Sequence, residues 1–252
     1  MDNFEIIPVI DILNSKAVHA IEGKRSEYKP LSSYMLDSVK PYQIVKSLYD
    51  EFGFLKYYIA DLDSIMNNSP NINILNSILK SFNQITLILD PGIENKSNLE
   101  TFSTLPNIKL ILGLETINSL DVFPDAVDRL GSENVIVSID MYNGKIFSKN
   151  QNIKNFKPLE LVNKIGNLNI SNIILLDLSR VGQKVGGIPP LYKRIEESFY
   201  GNILVGGGIK DIADVKLYQK NNFAGVLIGT ALYDGTIKKK EIKSFFNEIN
   251  QQ

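Results

Sequence analysis

Two aspartates of this chain have the residue type and the placement that acid and base chemistry needs. Asp11 and Asp140 each follow a run of apolar residues, as the last residue of a buried strand would. Two carboxyl groups on opposite sides of a bound molecule can divide general acid and general base work if their surroundings separate their pKa values. The alternative is structural, because an aspartate after a strand often caps the backbone that follows it. We expect Asp11 and Asp140 to be a catalytic pair.

Two glycine-containing segments, Gly206-Gly207-Gly208 and Gly229-Thr230, favour an anion site. Glycine lets the backbone approach an anion closely, and N–H groups at the start of a helix then bind a phosphate. A pair of tight turns without a ligand is the alternative. Since the two segments end neighbouring predicted strands, we predict that a substrate phosphate is bound by Gly207, Gly208, Gly229 and Thr230.

The elements that must hold these residues repeat within the chain. Three pairs share one separation in sequence: Asp61 with Asp177, Gly92 with Gly208, and Gly113 with Gly229. Asp11 and Asp140 form a fourth pair if the loop after the first strand is longer than its counterpart. Four strand-and-helix units, present twice, predict an α/β fold, a (β/α)8 TIM barrel built from two duplicated half-barrels.

Eight nearly continuous apolar runs are expected to be the barrel strands, because strands covered on both faces lack polar alternation. They lie near residues 5 to 12, 55 to 61, 85 to 90, 108 to 113, 134 to 140, 172 to 178, 202 to 206 and 224 to 229. The chain has 252 residues, the usual size of one such barrel, so residues 1–252 are predicted to be a single domain. The longest connections, 13 to 40 and 141 to 157, are expected to include lids over the site.

The composition excludes several function classes. Lys and Arg number 27 against 28 for Asp and Glu, so no net positive field attracts nucleic acid or an anionic membrane. Without cysteine there is no thiolate nucleophile, and the aspartates lack metal-ligand spacing, so we expect no metal and no cofactor. No secretory leader and no long apolar run is present, which predicts a cytoplasmic protein. The sequence identifies no protein partner.

Three segments resemble the barrel family of histidine biosynthesis: Pro8-Val9-Ile10-Asp11, Gly206-Gly207-Gly208-Ile209 and Gly229-Thr230-Ala231-Leu232. That family includes ProFAR isomerase, which performs an Amadori rearrangement, and the cyclase subunit of imidazole glycerol phosphate synthase. The resemblance extends over essentially the whole chain. It implies that Asp11 and Asp140 are the catalytic pair and that the glycines bind one phosphate of a substrate that has two.

The sequence departs from this family where the second phosphate would bind. The family's third-strand turn reads G-G-G-I-R, whereas this chain has Asp90-Pro91-Gly92-Ile93-Glu94. Proline has no N–H to donate, and the two acids would repel a phosphate. Glu115 adds a third acid nearby, and the sixth strand lacks a Thr and a second Asp that the isomerase has. These departures predict a substrate held by a single phosphate.

Two further residues complete the predicted site. His19, the only histidine, stands where the family has a substrate-contacting Arg or Lys, and its ordinary pKa suits phosphate contact or proton transfer. Asp177 ends the sixth predicted strand. A structural role remains the alternative for both residues, and we predict that they contact the substrate.

The predicted function is an isomerase or lyase that acts on a phosphosugar-type metabolite, with acid and base catalysis by two strand-end aspartates. Genuine ProFAR isomerase, or phosphoribosylformimino-5-aminoimidazole carboxamide ribotide isomerase, is the second interpretation. A barrel without catalysis that binds a phosphorylated metabolite or a partner protein is the third. All three place a phosphorylated small molecule or a partner at the same mouth of the barrel.

Overall fold

The eight apolar runs form the strands of a closed parallel barrel in the computed structural model, which describes residues 4–249. In chain order the strands are β1 (Glu5–Leu13), β2 (Lys56–Asp61), β3 (Thr86–Asp90), β4 (Ile108–Gly113), β5 (Val135–Tyr142), β6 (Asn172–Asp177), β7 (Asn202–Gly206) and β8 (Gly225–Ile228). Strand β8 pairs with β1, with Glu5 opposite Gly225 and Pro8 opposite Ile228, and this pairing closes the barrel. The predicted TIM barrel is confirmed, and the predicted strands differ from the observed ones only at their ends.

Each strand contributes one large side chain to a cluster that fills the barrel interior. The cluster contains Ile7, Tyr58, Ile88, Ile111, Ile136, Ile174, Leu204 and Leu227, all buried. Neighbouring residues on the same strands belong to a second, larger core between the sheet and the helices. Both faces of the sheet are therefore apolar, which explains the continuous apolar runs in the sequence. The filled interior leaves the strand ends as the place for a ligand.

Helices cover the outside of the barrel. They span Pro41–Phe52, Leu62–Asn67, Ile72–Ser81, Lys96–Phe102, Val122–Leu130, Gln151–Lys154, Pro158–Gly166, Pro190–Glu196, Ile212–Lys220, Thr230–Tyr233 and Lys239–Ile249. Pro41 and Pro158 occupy the first helical turn, where a missing N–H costs nothing. Among residues 4–249, no helix is both long and apolar enough to cross a membrane.

A short β-hairpin extends the barrel after β1. Asn14 and Ser15 have positive φ angles of 52° and 57°, and strand Lys16–His19 then runs antiparallel to β1. The Asp63 carboxylate, from just beyond β2, accepts hydrogen bonds from the N–H groups of Asn14 at 2.7 Å and Ser15 at 2.9 Å. The hairpin is thereby held above the strand ends.

A second hairpin follows β5 in the same way. Its turn residues Asn143 and Gly144 also have positive φ angles, and both donate N–H hydrogen bonds to the Asp177 carboxylate, at 3.0 and 2.7 Å. An aspartate from near the end of the next strand thus anchors each hairpin turn. The repetition supports the predicted half-barrel duplication, which itself stays a prediction.

The long first loop crosses the mouth of the barrel. Glu22 N–H donates to the Val181 carbonyl at 3.0 Å, and Tyr34 N–H donates to the Tyr233 carbonyl at 3.1 Å. Between these contacts lies the single 3-10 turn Arg25–Glu27. The loop therefore covers the site from β1 to the connections after β6 and β8, as a lid must.

Replacing Asp63 by Ala removes the acceptor for two hairpin N–H groups and for Asn71 Nδ2. Each lost hydrogen bond is worth about 1 kcal/mol, so we expect the free energy of unfolding to fall by about 1–3 kcal/mol. Urea denaturation measures the change, with the same substitution at the exposed Asp37 as the control. Equal stability of the two variants would show that Asp63 does not anchor the hairpin.

Candidate active site

The carboxyl ends of the strands enclose a cavity of about 270 Å³. The cavity lies beneath the first loop, where a TIM barrel binds its ligands. Seven of the eight predicted site residues line it: Asp11, Asp140, His19, Gly207, Gly208, Gly229 and Thr230. The eighth, Asp177, does not line it. The strand register therefore brings together residues from both ends of the sequence.

Asp11 occupies the end of β1 at the cavity wall. Its backbone is fixed on both sides, because the residue pairs with Val18 of the hairpin and with Ala60 of β2. Removal from bulk water raises its pKa to about 7; the carboxylate of Asp90 adds to the shift, and Arg25 opposes it. At neutral pH this group can either accept or release a proton.

Asp140, at the end of β5, is buried and firmly held. Ser138 Oγ donates a 2.6 Å hydrogen bond to its Oδ1, and Glu115 N–H donates to its Oδ2 at 3.0 Å. Burial, together with the neighbouring carboxylates of Asp90 and Glu115, raises the pKa of Asp140 to about 8 although its two hydrogen bonds oppose the shift. The group is thus protonated more than ionised at pH 7.

Asp90, at the end of β3, is a third carboxyl group of the site. Its pKa is raised to about 6 by burial, despite a 3.1 Å hydrogen bond from Gly92 N–H. A side chain at Gly113 would contact Asp140 Oδ2 at 3.1 Å and Asp90 Oδ2 at 3.8 Å. Both carboxyl groups therefore converge on the bare backbone of Gly113.

The opposite end of the cavity has the features of an anion site. Gly207 and Gly208 have φ angles of +83° and +85°, which only glycine adopts without strain. A Cβ atom at Gly208 would lie 2.9 Å from Val185 Cγ2. Thr230 begins a short helix, whose first N–H groups lack partners within the helix. Backbone donors from β7 and β8 can therefore meet one phosphate.

The side chains of His19 and Lys184 also line the cavity, where they can donate hydrogen bonds or supply positive charge. His19 Nε2 lies 2.8 Å from Thr230 Oγ1, although the residues are far apart in sequence. Lys184 Nζ donates to Asp234 Oδ2 at 2.5 Å and to Thr236 Oγ1 at 2.9 Å, and the residue lines the cavity. Sequence reasoning found His19 but missed Lys184, which lies in a connection with no motif.

Asp177 has a different environment from the other predicted site residues. Besides the two hairpin N–H groups, its carboxylate accepts hydrogen bonds from Ser179 N–H at 3.1 Å and Ser179 Oγ at 2.6 Å. Because these four hydrogen bonds already occupy the carboxylate oxygens, few acceptor positions remain for a substrate. The geometry therefore favours a structural role for Asp177. Its predicted contact with the substrate stays a prediction.

Two positions of the turn that would bind a second phosphate, Pro91 and Gly92, offer no free backbone donor. Gly92 N–H already bonds the Asp90 carboxylate, and Pro91 has no N–H. Glu94 faces away, with Oε1 3.6 Å from Lys149 Nζ, and does not line the cavity. Among residues 4–249, no group of three or more His, Cys, Asp or Glu is arranged to hold a metal ion.

Comparison with known proteins identifies the family of this chain. Residues 5–238 match the family described as histidine biosynthesis protein. The chain belongs to this family. Within the histidine biosynthesis family, an uncharacterized protein of Methanocaldococcus jannaschii is 32% identical over 246 residues, which cover 97% of this chain and 100% of that protein.

Other members of the family have named activities. Proteins of Clostridium botulinum strain Kyoto and of a Sulfurihydrogenibium species are 26% and 29% identical, over 96% and 94% of this chain and 98% of each relative. Both are named as isomerases of an imidazole-4-carboxamide that carries a 5-phosphoribosyl and a 5-phosphoribosylamino group. The similarity extends over the whole barrel, both hairpins included.

Crystals soaked in phosphate are expected to hold one anion at the turns of Gly207, Gly208, Gly229 and Thr230, and none at Asp90–Glu94. The physical reason is that the first place offers free glycine N–H groups, whereas the second offers carboxylates and an engaged N–H. Anomalous scattering from a sulfate or arsenate soak locates the sites. Equal occupancy at both turns would overturn the assignment of a single anion site.

Proposed function

We propose that this barrel catalyses the isomerisation, or a related lyase reaction, of a phosphosugar-type metabolite held by one phosphate group. The observation that carries the proposal is the pair Asp11 and Asp140, whose pKa values are raised to about 7 and 8 in a cavity that the glycines Gly207, Gly208 and Gly229 also line. Acid and base groups work best when their pKa values lie near the working pH.

The phosphate anchor sets the orientation of the substrate. Gly208 and Thr230 line one end of the cavity, and Asp90 and Asp140 line the other. A sugar bound through its terminal phosphate therefore directs its reactive carbons toward the carboxyl groups. Such positioning converts a bimolecular proton transfer into an intramolecular one.

One of Asp11 and Asp140 is assigned as the acid and the other as the base, since both have pKa values near neutrality. In an Amadori-type isomerisation, a proton delivered to the ring oxygen opens the sugar and leaves a protonated imine at C1. Removal of the C2 proton by the base gives an enaminol, and protonation at C1 with loss of the C2 hydroxyl proton gives the aminoketose. The protons lost and gained balance, so no redox cofactor takes part.

Replacing Asp11 or Asp140 by Asn retains the shape but removes the proton-transfer group. We expect each change to lower kcat by about a hundredfold to ten-thousandfold, with little change in the affinity for inorganic phosphate. Turnover is measured by proton NMR in D2O on a panel of sugar and aminosugar monophosphates, where isomerisation removes the C2 hydrogen and places a deuterium at C1.

The matched control is Asp61→Asn, because Asp61 is a buried strand-end carboxylate that does not line the cavity. Its variant should keep nearly full turnover once folded. If Asp11→Asn or Asp140→Asn also stayed within a few-fold of the parent, the catalytic assignment would be wrong.

Genuine ProFAR isomerase is the second candidate, and the named relatives favour it. The substrate in their names carries two phosphoribosyl groups, so a second phosphate needs a binding site. The acidic turn at Asp90–Glu94 argues against that site, because its Gly92 N–H bonds Asp90 instead. The single-phosphate substrate therefore remains the first candidate.

A strain that lacks ProFAR isomerase tests this choice. Expression of this chain should fail to restore growth without histidine, or restore it only slowly, because the second phosphate meets carboxylates where it needs donors. An isomerase from a relative serves as the positive control. Robust growth would make the chain a ProFAR isomerase and would remove the single-phosphate argument.

A further inference from the structure

An ion pair crosses the mouth of the cavity between the first loop and the end of β4. Arg25 NH2 lies 2.7 Å from both carboxylate oxygens of Glu115. The side chains are only 24% and 18% exposed, so solvent screens this pair less than an ordinary surface pair. Both residues line the cavity.

Arg25 is the cation best suited to bind a second anionic group. Among residues 4–249, no other arginine lines the cavity, and Lys184 lies at the glycine end. The planar guanidinium matches the geometry of a phosphate and stays charged at any physiological pH. Arg25 lies close enough to the carboxyl groups of Asp11 and Asp90 for its positive charge to oppose the rise in their pKa values.

The backbone at Pro91, Gly92 and Glu115 offers no substitute donor. Pro91 has no N–H, Gly92 N–H bonds Asp90, and Glu115 N–H bonds Asp140. A phosphate at this end of the cavity would therefore depend on the Arg25 side chain. Glu115 competes for the same guanidinium at hydrogen-bond distance.

We infer that Glu115 determines how many phosphate groups this site accepts: by pairing with Arg25, it occupies the one arginine that lines the cavity in the described part of the chain, and so restricts the site to monophosphates. The inference rests on the proposed function in one respect, since it takes the turns at Gly208 and Thr230 to bind the first phosphate. It assigns a specificity role to a residue that makes no contact with the first phosphate.

The side chain of Glu115 can be changed without disturbing Asp140. The bond to Asp140 comes from the Glu115 backbone N–H, which any residue at this position retains. Glu115→Gln keeps the volume and removes the charge that holds Arg25. The double variant Arg25→Met with Glu115→Gln removes both charges, so it leaves no unpaired ion if the single variant folds poorly.

Calorimetric titration with D-ribulose 5-phosphate and D-ribulose 1,5-bisphosphate at pH 7 tests the inference. The parent protein should bind the bisphosphate no more tightly than the monophosphate. Glu115→Gln should bind the bisphosphate about tenfold more tightly than the parent does, as one new charge-assisted hydrogen bond allows. The double variant should lose this gain, because it depends on Arg25.

Glu94→Gln is the matched control. It removes one acidic charge from the neighbouring turn, but Glu94 pairs with Lys149 and does not line the cavity. Glu94→Gln should bind the monophosphate and the bisphosphate with the same relative affinities as the parent protein does. An equal gain in Glu94→Gln, a gain that persists without Arg25, or no gain in Glu115→Gln would each overturn the inference.

Titration with inorganic phosphate separates this inference from the proposed function. Phosphate binding by the parent and by Glu115→Gln with equal affinity is the expected result. If the parent bound no phosphate, the anchor in the proposed function would fail. If phosphate bound but Glu115→Gln left the preference for mono- over bisphosphate unchanged, only the role of Glu115 would fail.

Discussion

Three carboxyl groups, those of Asp11, Asp90 and Asp140, share one poorly hydrated end of the barrel mouth. Burial raises the pKa of each, to about 7, 6 and 8; repulsion by Asp90 adds to the shifts of Asp11 and Asp140, and repulsion by Glu115 adds to that of Asp90. The folded protein therefore binds more protons here than the unfolded chain does between about pH 4 and pH 8. Through these groups, stability falls as the pH rises across that range. These groups lower the stability of the fold at neutral pH, but they can exchange protons there. This combination is typical of functional sites.

The rest of the mouth is arranged around this acidic end. The glycine turns of β7 and β8 provide a place for an anionic group on strands other than β3 and β5, which carry Asp90 and Asp140. His19 and Lys184 lie beside those turns, whereas Arg25 is paired with Glu115 at the acidic end. This separation of charge gives a substrate one orientation, with its phosphate at one end and its reactive carbons at the other.

The sequence predicts the fold well because its main signals are local. The apolar runs, the prolines at helix starts and the repeated strand-end residues each lie within a few residues of the element that they specify. The pair Asp11 and Asp140 and the glycine turns could be predicted for the same reason, since parallel strands in a barrel bring their carboxyl ends to one face.

Contacts between distant loops could not be predicted in this way. Arg25 and Glu115 are 90 residues apart, and His19 and Thr230 are 211 apart, so no spacing rule connects them. Lys184 lies in a connection without a motif. For Asp177, the sequence places the residue at the rim but does not show that Asn143, Gly144 and Ser179 engage its carboxylate. Residue type and strand position are local properties, whereas hydrogen-bond saturation depends on the whole fold.

Direct titration of the side-chain carboxyl groups tests the central claim most closely. Carbon-13 NMR of protein labelled at the aspartate carboxyl carbons reports the protonation of each group between pH 4 and pH 9. The account predicts two resonances that titrate near pH 7 and pH 8, one absent from Asp11→Asn and the other from Asp140→Asn. If every aspartate titrated near its ordinary pKa of about 3.9, the shared carboxyl site would not exist as described.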